Sequence, residues 1–248
     1  MTVEGPNSKQ KRKMRKREKT LYVVIIIVLI GTLTMSIVPD TLPPPSEKQP
    51  DTVAVADTLP PIFLISSYDS LFRTYADTIG WDWKLLAAVA YVESKFDTAA
   101  TSGVGAKGLM QLMPRTAHAM GVPKGKESDP KESVRAATHY LAYLNHLFRR
   151  VPESERIHFI LASYNAGFGH IHDAMRLAEK YGYNRHVWSE NVETFLRLKN
   201  DSIYYTDSVC RNGRFTGKET TLFVRKVQHK YSEYCLQEEQ FQQDIALN

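Results

Sequence analysis

One carboxylate stands out because it closes an apolar helical stretch and precedes a glycine-rich turn. Glu93 lies in WDWKLLAAVAYVES, where apolar residues recur three and four positions before it, on the same side of a helix. A carboxylate among apolar side chains is costly to ionise, so its pKa rises, which suits a general acid near neutral pH. The alternative is an exposed glutamate paired with Lys95 or Lys107, because structural ion pairs are also common.

Residues beyond Glu93 could complete a groove around it. The stretch TSGVGAKG (101–108) has three glycines in eight residues, which lets backbone approach a ligand closely. Gln111 and Met113 add an amide and a flat apolar surface, a mixture that binds sugars. Tyr164 and Asn165 precede a helix-ending glycine, where they can orient a carboxyl group or, alternatively, serve as a core tyrosine and a helix cap.

The elements that position these residues are predicted to be helices. Apolar residues recur at three- and four-residue intervals from Ile62 onwards, with Asp82 and Asp129 as helix caps, and there is no run of alternating strands, no repeat and no phosphate-binding loop. We therefore predict an all-α domain over 62–248. Its helices are expected at 66–80, 81–96, 129–150, 155–167, 170–182, 187–200 and 217–234, with a short one after Pro114.

Three segments precede that domain. Residues 1–20 form a basic tail, 21–38 are apolar and uncharged, and 39–61 hold seven of the twelve prolines. Eighteen apolar residues are long enough to cross a bilayer, and the positive-inside rule keeps the basic tail cytoplasmic. We predict a single-pass transmembrane anchor at 21–38 and a semi-rigid Pro-rich linker at 39–61. A cleaved signal peptide is the alternative.

The charge distribution argues against nucleic-acid binding. The net charge of the 248 residues is +5, but residues 1–19 hold eight of the 32 Lys and Arg and two of the 27 acidic residues, leaving 24 basic and 25 acidic residues in the rest. The bulk of the chain is therefore near neutral and has no basic stripe. We expect no cofactor and no metal site, because no Cys or His pair has ligand spacing. In an exported domain, Cys210 and Cys235 are predicted to form a disulfide; two free thiols are the alternative.

Three motifs in order resemble those of lytic murein transglycosylases, enzymes of the goose-lysozyme-like superfamily. They are ES-x-F-x₅-S-x-V-G-A-x-G-L-M-Q-x-M-P from Glu93, S-Y-N-A-G from Ser163 and E-T-x-x-F-V from Glu219. The resemblance covers roughly 66–235 and is most marked with the catalytic module of membrane-bound lytic transglycosylase F. It implies a lysozyme-like helical fold. Thr98, Ser163 and Phe223 depart from the family pattern.

The resemblance also implies a role for each matching residue. Glu93 matches the catalytic acid/base, Tyr164 the tyrosine that hydrogen-bonds that acid, and Asn165 its neighbour. The remaining matches are substrate-binding or supporting residues: Ser102 near the carboxyl group, Gly108, Leu109, Met110 and Gln111 of the groove motif, the apolar contact Met113, and the late glutamate Glu219.

The implied reaction uses one carboxyl group twice. Glu93 protonates the oxygen between N-acetylmuramic acid and N-acetylglucosamine, then takes the proton from the muramoyl 6-hydroxyl as a 1,6-anhydro ring closes without water. The substrate is the glycan strand of peptidoglycan, and the expected place is the periplasmic side of a bacterial inner membrane. A muramidase using a second carboxylate such as Asp97 is one alternative. A catalytically silent glycan-binding or scaffold module is another.

Overall fold

A computed structural model of the chain describes residues 61–247. This part is helical, and its only β-type contacts are two isolated bridges, Thr101 with Lys107 and Lys107 with Leu112. The all-α prediction is thus confirmed for the described domain. The predicted basic tail and anchor, and the linker before residue 61, lie outside the described residues. Between residues 61 and 247, no helix is both long and apolar enough to span a bilayer.

The helices of the described part follow the predicted order. The predicted domain limits stay a prediction. Short loops join most of them, and the longest helix comes last. In chain order they are α1 (Asp69–Asp77), α2 (Trp83–Ser94), α3 (Pro114–Ala119), α4 (Pro130–Leu147), α5 (Glu153–Ala166), α6 (Phe168–Lys180), α7 (Glu193–Leu198), α8 (Ser202–Tyr205) and α9 (Lys218–Ala246).

Two helices begin at the aspartates that the sequence predicts as caps. Asp82 accepts a hydrogen bond from the backbone N–H of Lys84 at 2.9 Å, and Asp129 accepts one from Glu132 N–H at 3.0 Å. Each bond satisfies a backbone donor that has no partner within the helix. The caps therefore fix where α2 and α4 start, and α2 carries Glu93.

The later part of the chain differs from the prediction. The single helix expected at 187–200 is interrupted, because Ser189 and Glu190 leave helical dihedrals and Glu190 has a φ of 60°. Only α7 remains regular there, after an irregular turn at Trp188–Val192. The short helix α8 was not predicted, and α9 continues well past residue 234. Its last turns carry few buried residues, which is why periodicity alone ended it early.

Helix α2 lies at the centre of the core. Its middle residues Leu86, Ala87, Val89 and Ala90 have no exposed surface. It packs against both α9 and α1, while α5 packs against α4, α6 and α9. The small alanines allow these neighbours to approach closely. Glu93 therefore stands at the end of a rigidly held helix.

The predicted disulfide between Cys210 and Cys235 is wrong for this structure, in which both thiols are free. Cys210 donates to the carbonyl oxygen of Tyr204 at 3.2 Å in the loop that follows α8. Cys235 lies on α9, where Tyr231 is its hydrogen-bond partner. The two thiols thus have separate surroundings. Polar contacts hold α9 to the start of α2 instead, as the Lys84–Glu238 ion pair at 2.7 Å illustrates.

Candidate active site

A cleft of about 410 Å³ brings together residues from α2, the loop before α3, α4 and the end of α5. Six of the residues singled out from sequence line it, although they span more than 70 positions of the chain. These are Glu93, Ser102, Gln111, Met113, Tyr164 and Asn165. The structure therefore groups most of the predicted site in one place.

Glu93 is half-buried at the wall of this cleft. Burial is the cause that raises its pKa to about 8. Within the described residues it makes no ion pair with either lysine proposed as an alternative partner. Lys95 lies instead over the ring of Tyr91, with Nζ 4.9 Å from the ring centroid. The carboxyl group is therefore largely protonated at neutral pH, as a general acid must be.

The end of α2 fixes the position of that carboxyl group. The helix stops because Lys95 and Phe96 both adopt left-handed backbone dihedrals, with φ of 53° and 66°. Ser94, the residue after the acid, donates its hydroxyl to the carbonyl oxygens of Ala90 at 3.1 Å and Leu109 at 2.8 Å. The second bond ties the acid's helix to the glycine-containing motif across the cleft.

The segment Gly108–Gln111 is anchored by three helices. Besides the bond from Ser94, the Met110 N–H donates to Ser133 Oγ of α4 at 3.1 Å. The hydroxyl of Tyr164 on α5 donates to the Met110 carbonyl oxygen at 2.7 Å. Leu109 and Met110 have no exposed surface, so their side chains belong to the core and only support the cleft.

Gly108 also has a packing role rather than a ligand-facing one. Its φ is +72°, and a Cβ placed there would lie 2.8 Å from the carbonyl oxygen of Glu127 and 3.0 Å from Cα of Ser128. The glycine is therefore required by the neighbouring loop, not by a sugar. Gln111 keeps a positive φ of 48° without being glycine, a strained conformation of the kind found at functional sites.

Tyr164 differs from the expectation in its hydrogen bond. The resemblance implies a bond to the acid, but the hydroxyl proton points to the Met110 carbonyl oxygen. Burial is the main cause that raises the pKa of Tyr164, and the charge of Glu93 adds to it, so the two groups do interact. With its proton committed, the hydroxyl can only accept a hydrogen bond from a protonated Glu93.

Two amides offer complementary groups to a ligand. The Nε2 group of Gln111 donates to the carbonyl oxygens of Ala100 at 3.0 Å and Gly108 at 2.9 Å, which leaves Oε1 as the acceptor. The Oδ1 atom of Asn165 accepts from Thr220 Oγ1 at 2.8 Å, which leaves Nδ2 as the donor. Met113, 43% exposed, adds the predicted apolar surface.

The late motif contributes through a different residue from the one expected. Glu219 is exposed at the first turn of α9 and does not line the cleft. Its neighbour Thr220 is buried and holds the Asn165 side chain through the bond described above. Helical geometry explains the difference, since consecutive residues face directions about a quarter-turn apart. The motif E-T-x-x-F-V therefore does contain a residue that supports the site, but that residue is Thr220 rather than Glu219.

Other lining residues were missed. Tyr140 of α4 packs its ring against Tyr164, with centroids 5.7 Å apart, and Val104 stands 79% exposed at the rim. Tyr140 occurs in an amphipathic helix, where a half-buried tyrosine resembles a core residue. Ser102 was predicted, and its Oγ accepts from the N–H of Ala106 at 2.9 Å, which shapes the turn that bears Val104.

Among the cleft-lining residues of the described part, Glu93 is the one carboxylate. Asp97, the predicted candidate for a second acid, is exposed and accepts a hydrogen bond from the Ala99 N–H at 2.8 Å. It therefore stabilises the turn after α2. Between residues 61 and 247, no group of three or more His, Cys, Asp and Glu side chains is placed to hold a metal ion.

Comparison with known proteins confirms the family resemblance. Residues 70–187 match the family model described as "Transglycosylase SLT domain". A membrane-bound lytic murein transglycosylase F from Marinobacter nauticus is 39% identical over 165 residues, covering 66% of this chain and 32% of the relative. One from Maricaulis maris is 40% identical over 164 residues, covering 64% of this chain and 34% of the relative. The chain thus matches about a third of the length of these relatives.

Among solved structures, the 70 kDa soluble lytic transglycosylase from Escherichia coli is 27% identical and matches with a TM-score of 0.46. The match covers 67% of this chain and 24% of that one. The family match at 70–187 includes Glu93, the motif at Gly108–Gln111 and Tyr164. Thr220 lies beyond it.

Proposed function

We propose that this chain, whose residues 70–187 match the Transglycosylase SLT domain model, cleaves the glycan strands of peptidoglycan as a lytic transglycosylase. The bond broken is the β-1,4 bond between N-acetylmuramic acid and N-acetylglucosamine. The products end in 1,6-anhydro-N-acetylmuramic acid. The observation that carries the proposal is Glu93, a half-buried acid with a pKa of about 8 and no second carboxylate beside it among the described lining residues.

Glu93 acts first as the general acid. Burial keeps it protonated at neutral pH, so it can give its proton to the glycosidic oxygen as the bond to the muramoyl C1 breaks. The substrate's own N-acetyl group stabilises the positive charge that develops at C1. Tyr164, whose hydroxyl proton is donated to the Met110 carbonyl oxygen, lines the same cleft and keeps an oxygen that can accept a hydrogen bond.

Glu93 acts second as the general base. Having lost its proton, the carboxylate takes one from the muramoyl 6-hydroxyl, whose oxygen then bonds to C1 and closes the anhydro ring. The proton count of Glu93 is restored and no water is consumed. A hydrolase would instead place a second carboxylate about 5–9.5 Å away to act on C1 or on a water. Asp97, the candidate from sequence, does not line the cleft and instead accepts a hydrogen bond in the turn after α2.

The other cleft residues bind the strand. Gln111 Oε1 accepts from a sugar hydroxyl or amide N–H, while Asn165 Nδ2 donates to a sugar oxygen. Met113 lies against an apolar sugar face. Ser102, Gly108, Leu109 and Met110 shape or support the cleft, and Thr220 replaces Glu219 as the supporting residue from the late motif. We also propose that the helices around this cleft take the goose-type lysozyme arrangement that the motif resemblance implies.

We also propose that residues 21–38 anchor the enzyme in the bacterial inner membrane, with residues 39–61 as the linker and 62–248 as the catalytic domain on the periplasmic side. The word "membrane-bound" in the relatives' names supports this location. Fractionation of cells that produce the chain, with and without residues 1–38, tests it. The full chain is expected with the membranes.

Mass spectrometry of the products from purified murein tests the reaction. Transglycosylation gives muramoyl ends that are one water lighter than the reducing ends of a hydrolase. Products that carry the added water identify a muramidase, and unchanged strands identify a silent binding module. Either result overturns the proposal.

A further inference from the structure

A second cavity, of about 310 Å³, is lined by basic side chains with no acidic residue among them. Arg149 and Arg150 come from the loop after α4, and His172 comes from α6. Arg185 and His186 come from the loop after α6. Burial and the charges of Arg176 and Arg185 lower the pKa of His172, so its ring is neutral at neutral pH. The positive charge at this cavity therefore comes from Arg149 and Arg150, together with Arg185, which is ion-paired with Glu179. This lining suits an anion.

Arg185 has unused hydrogen-bonding capacity. One of its guanidinium nitrogens, Nη1, donates to Glu179 Oε2 at 2.6 Å. Its Nε atom is buried without a hydrogen-bond partner. A buried donor with no partner is unusual in a native fold, so this nitrogen has hydrogen-bonding capacity left for an acceptor.

Apolar side chains line the rest of the cavity. Phe148 and Phe168 pack with ring centroids 5.4 Å apart, and Met175 of α6 lies beside them. A bare inorganic anion gains nothing from such a surface, whereas a carboxylate carried on an aliphatic or peptide chain uses both parts of the lining. The chemistry therefore favours an organic acid over free phosphate.

The position of the cavity links it to the cleft. Gly167 lines the cleft and Phe168, the next residue, lines the basic cavity, so the junction of α5 and α6 contributes to both. Peptidoglycan strands carry acidic peptide stems on their muramoyl residues. We propose that the basic cavity binds a carboxylate of a peptide stem while the strand occupies the cleft. This inference rests on the proposed function for its choice of ligand.

Direct titration tests the proposal without turnover. The probe is the stem peptide released from murein by an amidase, added to the full chain and followed by calorimetry. We expect saturable binding that weakens about tenfold in Arg149→Gln/Arg150→Gln, because two exposed ion pairs worth up to about 1 kcal/mol each are lost. Both arginines are exposed, so the fold tolerates the change. The matched control is Lys124→Gln/Lys126→Gln, which removes the same charge at exposed positions outside both cavities and leaves binding unchanged.

Three results overturn the proposal: no saturable peptide binding, equal binding by the arginine variant, or inorganic phosphate that binds more tightly than the peptide. The last identifies a phosphate site.

Kinetics separate this inference from the proposed function. The arginine variant is expected to cleave amidase-trimmed strands at the normal rate while its KM for strands with stems rises. If neither the wild type nor the arginine variant cleaves trimmed strands, the proposed function fails. The peptide titration then still tests whether the basic cavity binds the peptide.

Discussion

Tyr164 donates its hydroxyl proton to the carbonyl oxygen of Met110 at 2.7 Å rather than to the acid beside it. This bond joins the end of α5 to the motif that precedes Gln111 and Met113. The tyrosine oxygen keeps its capacity to accept a hydrogen bond. One hydroxyl thus holds a wall of the cleft that Glu93 also lines.

Removing that hydroxyl is expected to affect both stability and activity. Tyr164→Phe leaves the buried Met110 carbonyl without its partner, which lowers the free energy of unfolding by about 1–3 kcal/mol. The unsupported segment shifts Gln111 and Met113, and kcat/KM falls by about tenfold or more. Urea denaturation and murein-digestion kinetics measure the two effects. Tyr143→Phe, at a tyrosine that is 52% exposed, is the control and is expected to behave like the wild type. A fully stable and active Tyr164→Phe variant contradicts this role.

The raised pKa of Glu93 makes stability depend on pH. Between its ordinary value of 4.5 and about 8, the folded protein holds a proton that the unfolded chain releases. The contribution of Glu93 to stability is therefore full at low pH and is lost as pH rises through about 8. We expect the stability difference between Glu93→Gln and the wild type to shift in favour of the variant by about 4 kcal/mol as the pH rises from about 5 to about 9.

Urea denaturation across that pH range measures the difference. Glu239→Gln, an exposed substitution of the same chemistry on α9, serves as the control and should show no such trend. A difference between Glu93→Gln and wild type that stays constant with pH would mean that Glu93 is not desolvated.

The late motif offers a direct comparison of adjacent residues. Thr220→Val removes the hydroxyl that donates to Asn165 Oδ1 at 2.8 Å, so the amide loses its fixed orientation. We expect KM to rise about fivefold to tenfold, which matches the loss of about 1 kcal/mol from one hydrogen bond. Glu219→Gln, next to it and exposed, is expected to leave the kinetics unchanged. The opposite pattern would restore Glu219 as the supporting residue.

Gly108 is expected to tolerate no side chain. In Gly108→Ala the new Cβ meets backbone atoms of Glu127 and Ser128 at about 3 Å while φ stays at +72°, so the free energy of unfolding falls by about 2–3 kcal/mol. Gly103→Ala is the matched control, because nothing lies within 4 Å of its Cβ position. Thermal melts of both variants decide the point. Equal stability of the two would refute the packing role.

The sequence predicted the helices and the apolar surroundings of Glu93 well because these follow from local patterns. The apolar helical pattern before Glu93 distinguishes it from other glutamates. Asp82 and Asp129 are identified as helix caps because each directly precedes a helical pattern. Leu109 and Met110 were placed in the groove but are buried. The direction of their side chains depends on the positive φ of Gly108 and Gln111, which residue types alone do not reveal.

Contacts between distant segments account for the remaining differences. The hydrogen-bond acceptor of Tyr164 is a backbone carbonyl 54 residues earlier. No pattern of residue types in the sequence predicts this bond. Thr220 stood inside a recognised motif, but its neighbour Glu219 has the side chain more often linked to catalysis. The expected Cys210–Cys235 disulfide rested on compartment chemistry, whereas the loop after α8 places Cys210 apart from α9.

Product analysis of three proteins on the same purified murein tests the central claim, that one carboxyl group cleaves the strand without water. Wild type and Asp97→Asn are expected to release anhydro-muramoyl ends at similar rates, because Asp97 only stabilises a turn. Glu93→Gln is expected to remain folded and to release none. Reducing ends that contain an added water, together with loss of activity in Asp97→Asn, would contradict the account.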